Sequence, residues 1–231
     1  MKVIAALRIQ NEARWIERVI NSVLPLCSQV LIFDDHSTDQ TPFLCASMPK
    51  TSVFDSPFSG LNEARDKNYL LAKCQEQKPD WIIWIDGDEI LSPASHNAIT
   101  DNLYSPKQCM SFRVKYLWDR EDQVRTDGVY GDFRRQSMFR PITGAKFLGE
   151  APGFHTGNVP QALWRSCLYP EVDLLHLGYL HSEDRVRKYE WYNRVDPKNK
   201  REDEYRHVVI GDVFPATSKF LHGGPLKLEA L

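Results

Sequence analysis

Long hydrophobic runs are missing from this 231-residue chain. No apolar stretch approaches the ~20 residues that a membrane-spanning helix needs. An excess of one charge is missing too: with a net charge of −2, nothing draws the chain in bulk to nucleic acid or to an anionic bilayer. Cysteine is sparse. Cys27, Cys45, Cys74, Cys109 and Cys167 are scattered, odd in number and without metal-type spacing, which predicts reduced, mostly buried thiols and a cytoplasmic protein. Met1-Lys2-Val3 leads straight into a strand-like segment with Arg8 and Glu12 close behind, so a secretory leader is not expected. Internal repeats and low-complexity tracts are lacking. Also lacking is a glycine-rich phosphate loop after the first strand-like segment, where Arg8-Ile-Gln-Asn-Glu12 stands. A nucleotidyltransferase that cradles phosphates in such a loop is therefore disfavoured. What is present is ordinary globular composition, 42% hydrophobic and 26% charged, in a chain long enough to bury one sizeable core.

The first part of the chain alternates strand and helix signals. Lys2 to Ile9 reads as a buried strand. Asn11 to Leu24 carries Ala13, Ile16, Ile20 and Val23 or Leu24 at helical spacing, and Pro25 ends it. Gln29 to Phe33 is a second strand, and a polar loop from Asp34 to Pro42 follows it. Asp39 or Thr41 can cap the next helix there, with Pro42 tolerated in its first turn. Thr51 to Phe54 is a third strand, Asn62 to Gln77 a helix, and Trp81 to Ile85 a short apolar strand of the kind buried on both faces. Short connections in a β-α-β-α-β-α-β order predict a parallel, helix-flanked sheet with right-handed crossovers. Beyond residue 90 the period changes. Met110 to Leu117 and the neighbourhood of Met138-Phe139 alternate as strands with one covered face. Gly144 to Gly157 reads as loop, Val172 to Tyr179 as a strand and His181 to Val195 as a charged helix; Asp196 to Leu231 loses pattern. The last residues, Gly223 to Leu231, read equally as a docking tail, a truncated helix or a cloning remnant.

Two acidic clusters each end a predicted parallel strand: Asp34-Asp35, and Asp86-Gly-Asp88-Glu89. Parallel strands put both on the carboxyl edge of the sheet, where ligands bind in such folds. Carboxylates this close repel unless a cation or hydrogen-bond donors sit between them. One acidic turn would pass as a solvated loop. Two on one rim point to a divalent-cation site that grips a phosphate-bearing ligand.

The segments IAALRIQNEARWIERVINSVLP, VLIFDDHSTDQT, NEARDKNYLLA and WIIWIDGDEI resemble, in order and spacing, a family 2 glycosyltransferase with the GT-A fold. The resemblance covers roughly residues 1–92. LLHLGYLHSEDRVRKYEWY is more loosely similar to the late histidine and basic helix of many metal-dependent members. The resemblance implies a single catalytic domain: a nucleotide-binding half at 1–92, an acceptor-side half at 93–195 and a C-terminal extension at 196–231. It also implies roles. Asp35, with Asp34 beside it, would accept from N3–H of uracil or thymine. Arg8 and Asn11 would line the nucleoside pocket, and Arg65 would approach the base or a phosphate. Asp86 would face the ribose or a metal-bound water, Asp88 would ligate the metal, and His176 would supply a ligand from the other side. Manganese suits such mixed carboxylate and imidazole ligation; magnesium prefers oxygen and water.

The implied reaction moves a sugar from a nucleoside-diphosphate donor, UDP- or dTDP-linked, to a glycan, lipid-linked or protein acceptor with inversion. Inversion needs a carboxylate to take the acceptor's proton. Glu150, in a glycine-flanked loop, is the first candidate and Asp132 the alternative. His155 is an acceptor contact or a loop cap. Arg185, Arg187 and Lys188 would neutralise the diphosphate or form a solvated face, and Trp118, Trp164 and Trp191 would stack on sugars or lie in the core. Without a membrane span, a lipid-linked acceptor would be met at the inner face of the membrane, peripherally or through a partner. Two other readings share some features. A phosphohydrolase of the haloacid-dehalogenase type also follows a strand with Asp-x-Asp, but expects Thr or Val where Ile90 stands and a later acidic motif. A non-catalytic sugar-nucleotide or glycan-binding module would keep the fold and lack the base.

Overall fold

In the computed structural model, residues 1–149, 156–196 and 203–231 are described. Contacts divide the chain into two compact units interleaved in sequence: Met1–Phe112 with Arg134–Leu174, and Arg113–Phe133 with Leu175–Leu231.

The first unit is built on parallel strands β1 (Val3–Ile9), β2 (Gln29–Asp34), β3 (Thr51–Asp55) and β4 (Trp81–Trp84). β1 lies between β2 and β4, and β2 carries β3 at its far side, all parallel. An antiparallel strand, β8 (Arg134–Phe139), pairs with β4 through Ile82↔Phe139 and Ile83↔Met138. The helices are α1 (Ile16–Val23), α2 (Thr41–Ser47), α3 (Glu63–Glu76) and α4 (Ser95–Asn102), with the short strand β5 (Glu89–Leu91) before the last. The expected alternation of strand and helix is present throughout the first ninety residues, with ends shifted by a few positions. The helix expected from Asn11 starts only at Ile16, because Asn11 sits at φ 56° in a turn. Asn62 caps α3 by accepting from Arg65 N at 3.0 Å. Asp39 holds the start of α2, its Oδ1 accepting from Thr41 N at 2.9 Å, and Pro42 occupies the first turn.

β1 and β4 are buried on both faces because helices cover the sheet on each side. Ile16, Val19, Ile20 and Val23 of α1 are fully buried. Ala64, Leu70, Leu71 and Cys74 of α3 join Ile4, Ala6, Phe33, Ile82, Trp84, Phe139 and Phe147 in one core cluster. Each large side chain buried here contributes about 1.5–3 kcal/mol from apolar transfer.

β6 (Cys109–Trp118) is divided between the units at Phe112/Arg113. In the first unit it pairs in parallel with β9 (Cys167–Leu168), so Cys109 stands beside Cys167. Cys27, Cys45 and Cys74 are buried and their thiols pushed up to about 12 by that burial. Cys167 is only partly buried, and a hydrogen bond from Cys109 lowers its pKa. Because the thiolate is the nucleophile, an aromatic disulfide reagent on the native protein is expected to label Cys167 first. The buried thiols of Cys27, Cys45, Cys74 and Cys109 should react only on unfolding. A fast phase that survives Cys167→Ser would contradict this assignment.

The second unit begins with the remainder of β6, which turns through Asp119 at φ 62° into antiparallel β7 (Arg120–Arg125). β10 (Asp173–His176) ends at His176, short of the expected Tyr179, and α5 spans Ser182–Val195. The last residues are not patternless: β11 (Leu228–Ala230) pairs antiparallel with β7. Trp118 is 1% exposed and lies under the guanidinium groups of Arg125 and Arg185, which makes it core rather than a sugar platform. Arg185 is spent structurally as well, binding Asp212 and Asp119 and the carbonyls of Tyr179 and Leu180. Among the described residues no helix is long and apolar enough to cross a membrane.

Candidate active site

Both acidic clusters lie in the first unit at the carboxyl ends of parallel strands, β2 and β4. At the first cluster, the two aspartates do different work. Asp34 is buried, and its Oδ2 accepts from Ser37 N at 3.0 Å, closing the loop after β2. Asp35 Oδ2 is paired with Arg8 Nη2 at 2.5 Å. Arg8 also meets Asp66 of α3 at 3.0 Å, and Asp66 in turn pairs with Arg65 at 2.8 Å. The result is an alternating chain, Asp35–Arg8–Asp66–Arg65. Burial raises the Asp35 pKa and Arg8 offsets only part of that rise. Arg65 also donates to the Ser59 and Gly60 carbonyls and lies over the Phe58 ring at 4.4 Å, fixing the loop before α3. Asn11 clamps the two neighbouring loops: its Oδ1 accepts from Thr38 N at 2.7 Å, and its backbone N–H donates to Ser37 Oγ.

The second cluster is organised by groups the sequence reading did not single out. Extending the β4–β8 register past the end of β4 sets Arg135 opposite Asp86. Its Nη1 donates to Asp86 Oδ2 at 2.9 Å and its Nη2 to Glu89 Oε2 at 2.5 Å. Asp86 Oδ1 accepts from Asn158 Nδ2 at 3.2 Å. The protein environment opposes ionisation of Asp86, but Arg135 and Lys67 outweigh it and pull its pKa below the usual carboxylate value. Glu89 is fully buried, and that burial pushes its pKa up to about 7 against the pull of Arg135. Its Oε1 has no hydrogen-bond partner among the described residues. Asp88 is 3% exposed on the same turn. Gly87 is needed there because a Cβ would come within 2.7 Å of the Glu12 side chain.

α3 connects the two clusters through consecutive residues. Asp66 reaches Arg8, and Lys67 Nζ donates to Asn158 Oδ1 at 2.9 Å and to the Thr156 carbonyl at 2.5 Å. A lysine on the buried face of a helix, in step with Ala64, Leu70 and Leu71, was the sequence signal that could have disclosed this link, since buried lysines are rare unless partnered. Burial lowers the Lys67 pKa, with Glu63 and Asp86 acting against that change.

Asp86, Asp88 and Glu89 offer hard oxygen donors, the chemistry of magnesium or manganese rather than zinc. Among the described residues no three His, Cys, Asp or Glu side chains are gathered as a metal cage. Asp86 is already engaged by Arg135 and Asn158. Magnesium commonly takes one or two protein carboxylates and fills its shell from substrate phosphates and water. His176 belongs to the second unit, where its ring packs 5.0 Å from Tyr116 and 4.6 Å from Tyr179. Asp132 is exposed in the second unit, and Glu150 and His155 fall outside the described residues.

Comparison with known proteins agrees with this geometry. An uncharacterized glycosyltransferase of Rickettsia bellii (strain RML369-C) is 33% identical over 126 residues, 54% of this chain and 41% of its own length. An uncharacterized protein of Mycobacterium tuberculosis is 23% identical over 210 residues, 85% of this chain and 51% of its own. The chain thus spans about half the length of the relatives it matches. Among solved structures, S. aureus TarS 1–349 in complex with UDP-GlcNAc is 12% identical with a TM-score of 0.51, over 92% of this chain and 72% of that one. Glucosyl-3-phosphoglycerate synthase from Mycobacterium tuberculosis, in complex with Mn2+, UDP and glucosyl-3-phosphoglycerate, is 16% identical with a TM-score of 0.51, over 84% and 80%. Both likenesses are likenesses of fold, the GT-A fold that the four segments implied. The sequence model of glycosyl transferase family 2 matches residues 8–159, a span that takes in both acidic clusters and the helix joining them, and the chain belongs to that family.

Proposed function

We propose that this chain transfers a sugar from a UDP- or dTDP-linked donor to a glycan, lipid-linked or protein acceptor, with inversion at the anomeric carbon. The observation that carries the reading is the pair of acidic clusters on one sheet edge, tied together by Asp66 and Lys67 of α3. The fold likeness to proteins solved with UDP-GlcNAc and with Mn2+ and UDP supports a uridine-type donor and a divalent cation.

In this reading Asp35 accepts from the base, with Arg8 holding its carboxylate and Arg65 steadying the wall of the base pocket. Asn11 shapes the adjoining loop. Asp86 faces the ribose or a metal-bound water, and Asp88 holds the cation. The cation would offset the charge that develops on the departing diphosphate. Glu150 takes the acceptor's proton, with Asp132 as the alternative base. That assignment follows the family resemblance and the need of an inverting displacement for a carboxylate on the acceptor side.

The test is binding before turnover. UDP or dTDP is expected to raise the melting temperature only when magnesium or manganese is present, since mass action stabilises a chain that binds ligand only when folded. Equal stabilisation in EDTA would sink the cation-dependent reading. Glu150→Gln should keep that stabilisation and lose sugar transfer; unimpaired transfer would move the base to Asp132.

A further inference from the structure

Lys67 is a charged side chain at a position where a helix buries its apolar face. It is 5% exposed, and none of the acceptors it meets among the described residues is a carboxylate. Its Nζ donates to the Thr156 carbonyl at 2.5 Å, the Gly157 carbonyl at 3.4 Å and Asn158 Oδ1 at 2.9 Å. An ammonium has three protons and no acceptor, so these contacts use its whole capacity.

The consequence falls on Asn158, which is 3% exposed. A side-chain amide presents an acceptor on one side and a donor on the other, and its orientation is set by what surrounds it. An ammonium on one side forces Oδ1 toward Lys67, which leaves Nδ2 to face Asp86 Oδ1 at 3.2 Å. On the other side of Asp86, Arg135 takes Oδ2 at 2.9 Å and is itself anchored on buried Glu89. Glu63, one turn earlier in α3, accepts from Thr156 N at 2.8 Å and holds the strand of chain that carries Asn158. Both oxygens of Asp86 are therefore held by donors whose directions are fixed from behind.

We infer that Lys67 and Asn158 are positioning residues for the nucleotide-sugar donor: the Lys67 ammonium sets the Asn158 amide, and that amide with Arg135 fixes the carboxylate plane of Asp86. The inference rests on the reading of Asp86 as a donor contact. It gives α3 a second task, since Asp66 one residue earlier orients Arg8 against Asp35.

The discriminating variant is Asn158→Asp. It supplies the buried Lys67 with an anionic partner, so the melting temperature of the ligand-free chain should hold or rise. It also turns a carboxylate toward Asp86, so UDP affinity in magnesium, read by calorimetry, should fall by about tenfold, the size expected for losing a hydrogen bond to a charged group. A merely structural asparagine would move stability and leave affinity alone. Asn158→Ala should weaken UDP similarly. Adding Lys67→Met to Asn158→Ala should weaken it no further, because Lys67 acts through the amide; additive losses would overturn the relay. Should Lys67→Met not fold, the two Asn158 variants decide alone. UDP affinity within twofold of the parent in both would overturn the inference. Asp86→Ala separates the levels: if it too leaves UDP binding unchanged, the donor reading of Asp86 has failed rather than the relay.

Discussion

Asp88→Ala is expected to lower sugar-nucleotide turnover by about a thousandfold or more while leaving the ligand-free chain as stable as the parent. A thousandfold corresponds to about 4 kcal/mol of transition-state stabilisation, the order supplied when a metal neutralises a leaving group in a water-poor site. Stability should hold because the Asp88 carboxylate opposes ionisation of both Asp86 and Glu89 on the same turn. Removing one carboxylate relieves like-charge repulsion there. The measurement is release of UDP from UDP-sugars, with slow hydrolysis as the readout until an acceptor is found, alongside thermal melting without ligand. EDTA on the parent should reproduce the loss, and excess magnesium should not rescue the variant. Turnover within tenfold of the parent would remove Asp88 from the role. A fall in turnover matched by a collapse of the melting curve would mark it as structural.

The sequence disclosed the strand ends but not the groups that neutralise them. β1, β2 and β4 were legible because they are buried on both faces and so read as continuous apolar runs, and the acidic residues after β2 and β4 follow at once. Arg135 was not legible as a partner of Asp86. Its position depends on the antiparallel register of β8 against β4, a pairing between segments about fifty residues apart that no local pattern records. Asn158 was hidden for the same reason, just past a stretch whose glycines signalled loop and nothing more. Lys67 was legible in principle, since its place in the helical period called for an apolar residue. The short strand β5, α4 and the C-terminal strand β11 were missed because each is short, and their stability comes from tertiary pairing that overrides weak local preference.

The C-terminal tail shows how much that pairing can carry, and Asp127→Ala is expected to break it at a cost of about 3–5 kcal/mol. Within the second unit, the Arg125 side chain is fully buried and Asp127 is 7% exposed. Arg125 Nε and Nη2 each donate to an Asp127 oxygen at 2.8 Å, and Nη1 donates to the His207 carbonyl at 2.5 Å. The guanidinium lies 3.9 Å from the Tyr130 ring centroid and 4.7 Å from that of Trp118. Asp127 also accepts from the backbone of the tail, Gly224 N at 2.5 Å and Lys227 N at 3.0 Å. The tail passes so near that a Cβ on Gly223 would sit 2.6 Å from Arg125 Nη2, so a glycine is required there for space. Losing one member of a buried ion pair strands the other charge, and that penalty sets the size of the effect. The melting temperature should fall on the order of 10 °C, and amide exchange should quicken across β7 and β11. Replacing both partners, Arg125→Met with Asp127→Leu, should cost less than Asp127→Ala alone, because no buried charge is then left unpaired. The pH dependence has a definite sign. Burial opposes ionisation of Asp127, but Arg125 and the two tail amides outweigh it and hold its pKa below the usual value. The pair's contribution is therefore present above the unfolded carboxyl pKa near ~4 and is lost as pH falls through the lower folded value. The gap in melting temperature between parent and Asp127→Ala should accordingly be widest near neutrality and close in acid; a gap that stays the same into acid would mean that Arg125 draws its stability from the aromatic rings and not from the carboxylate.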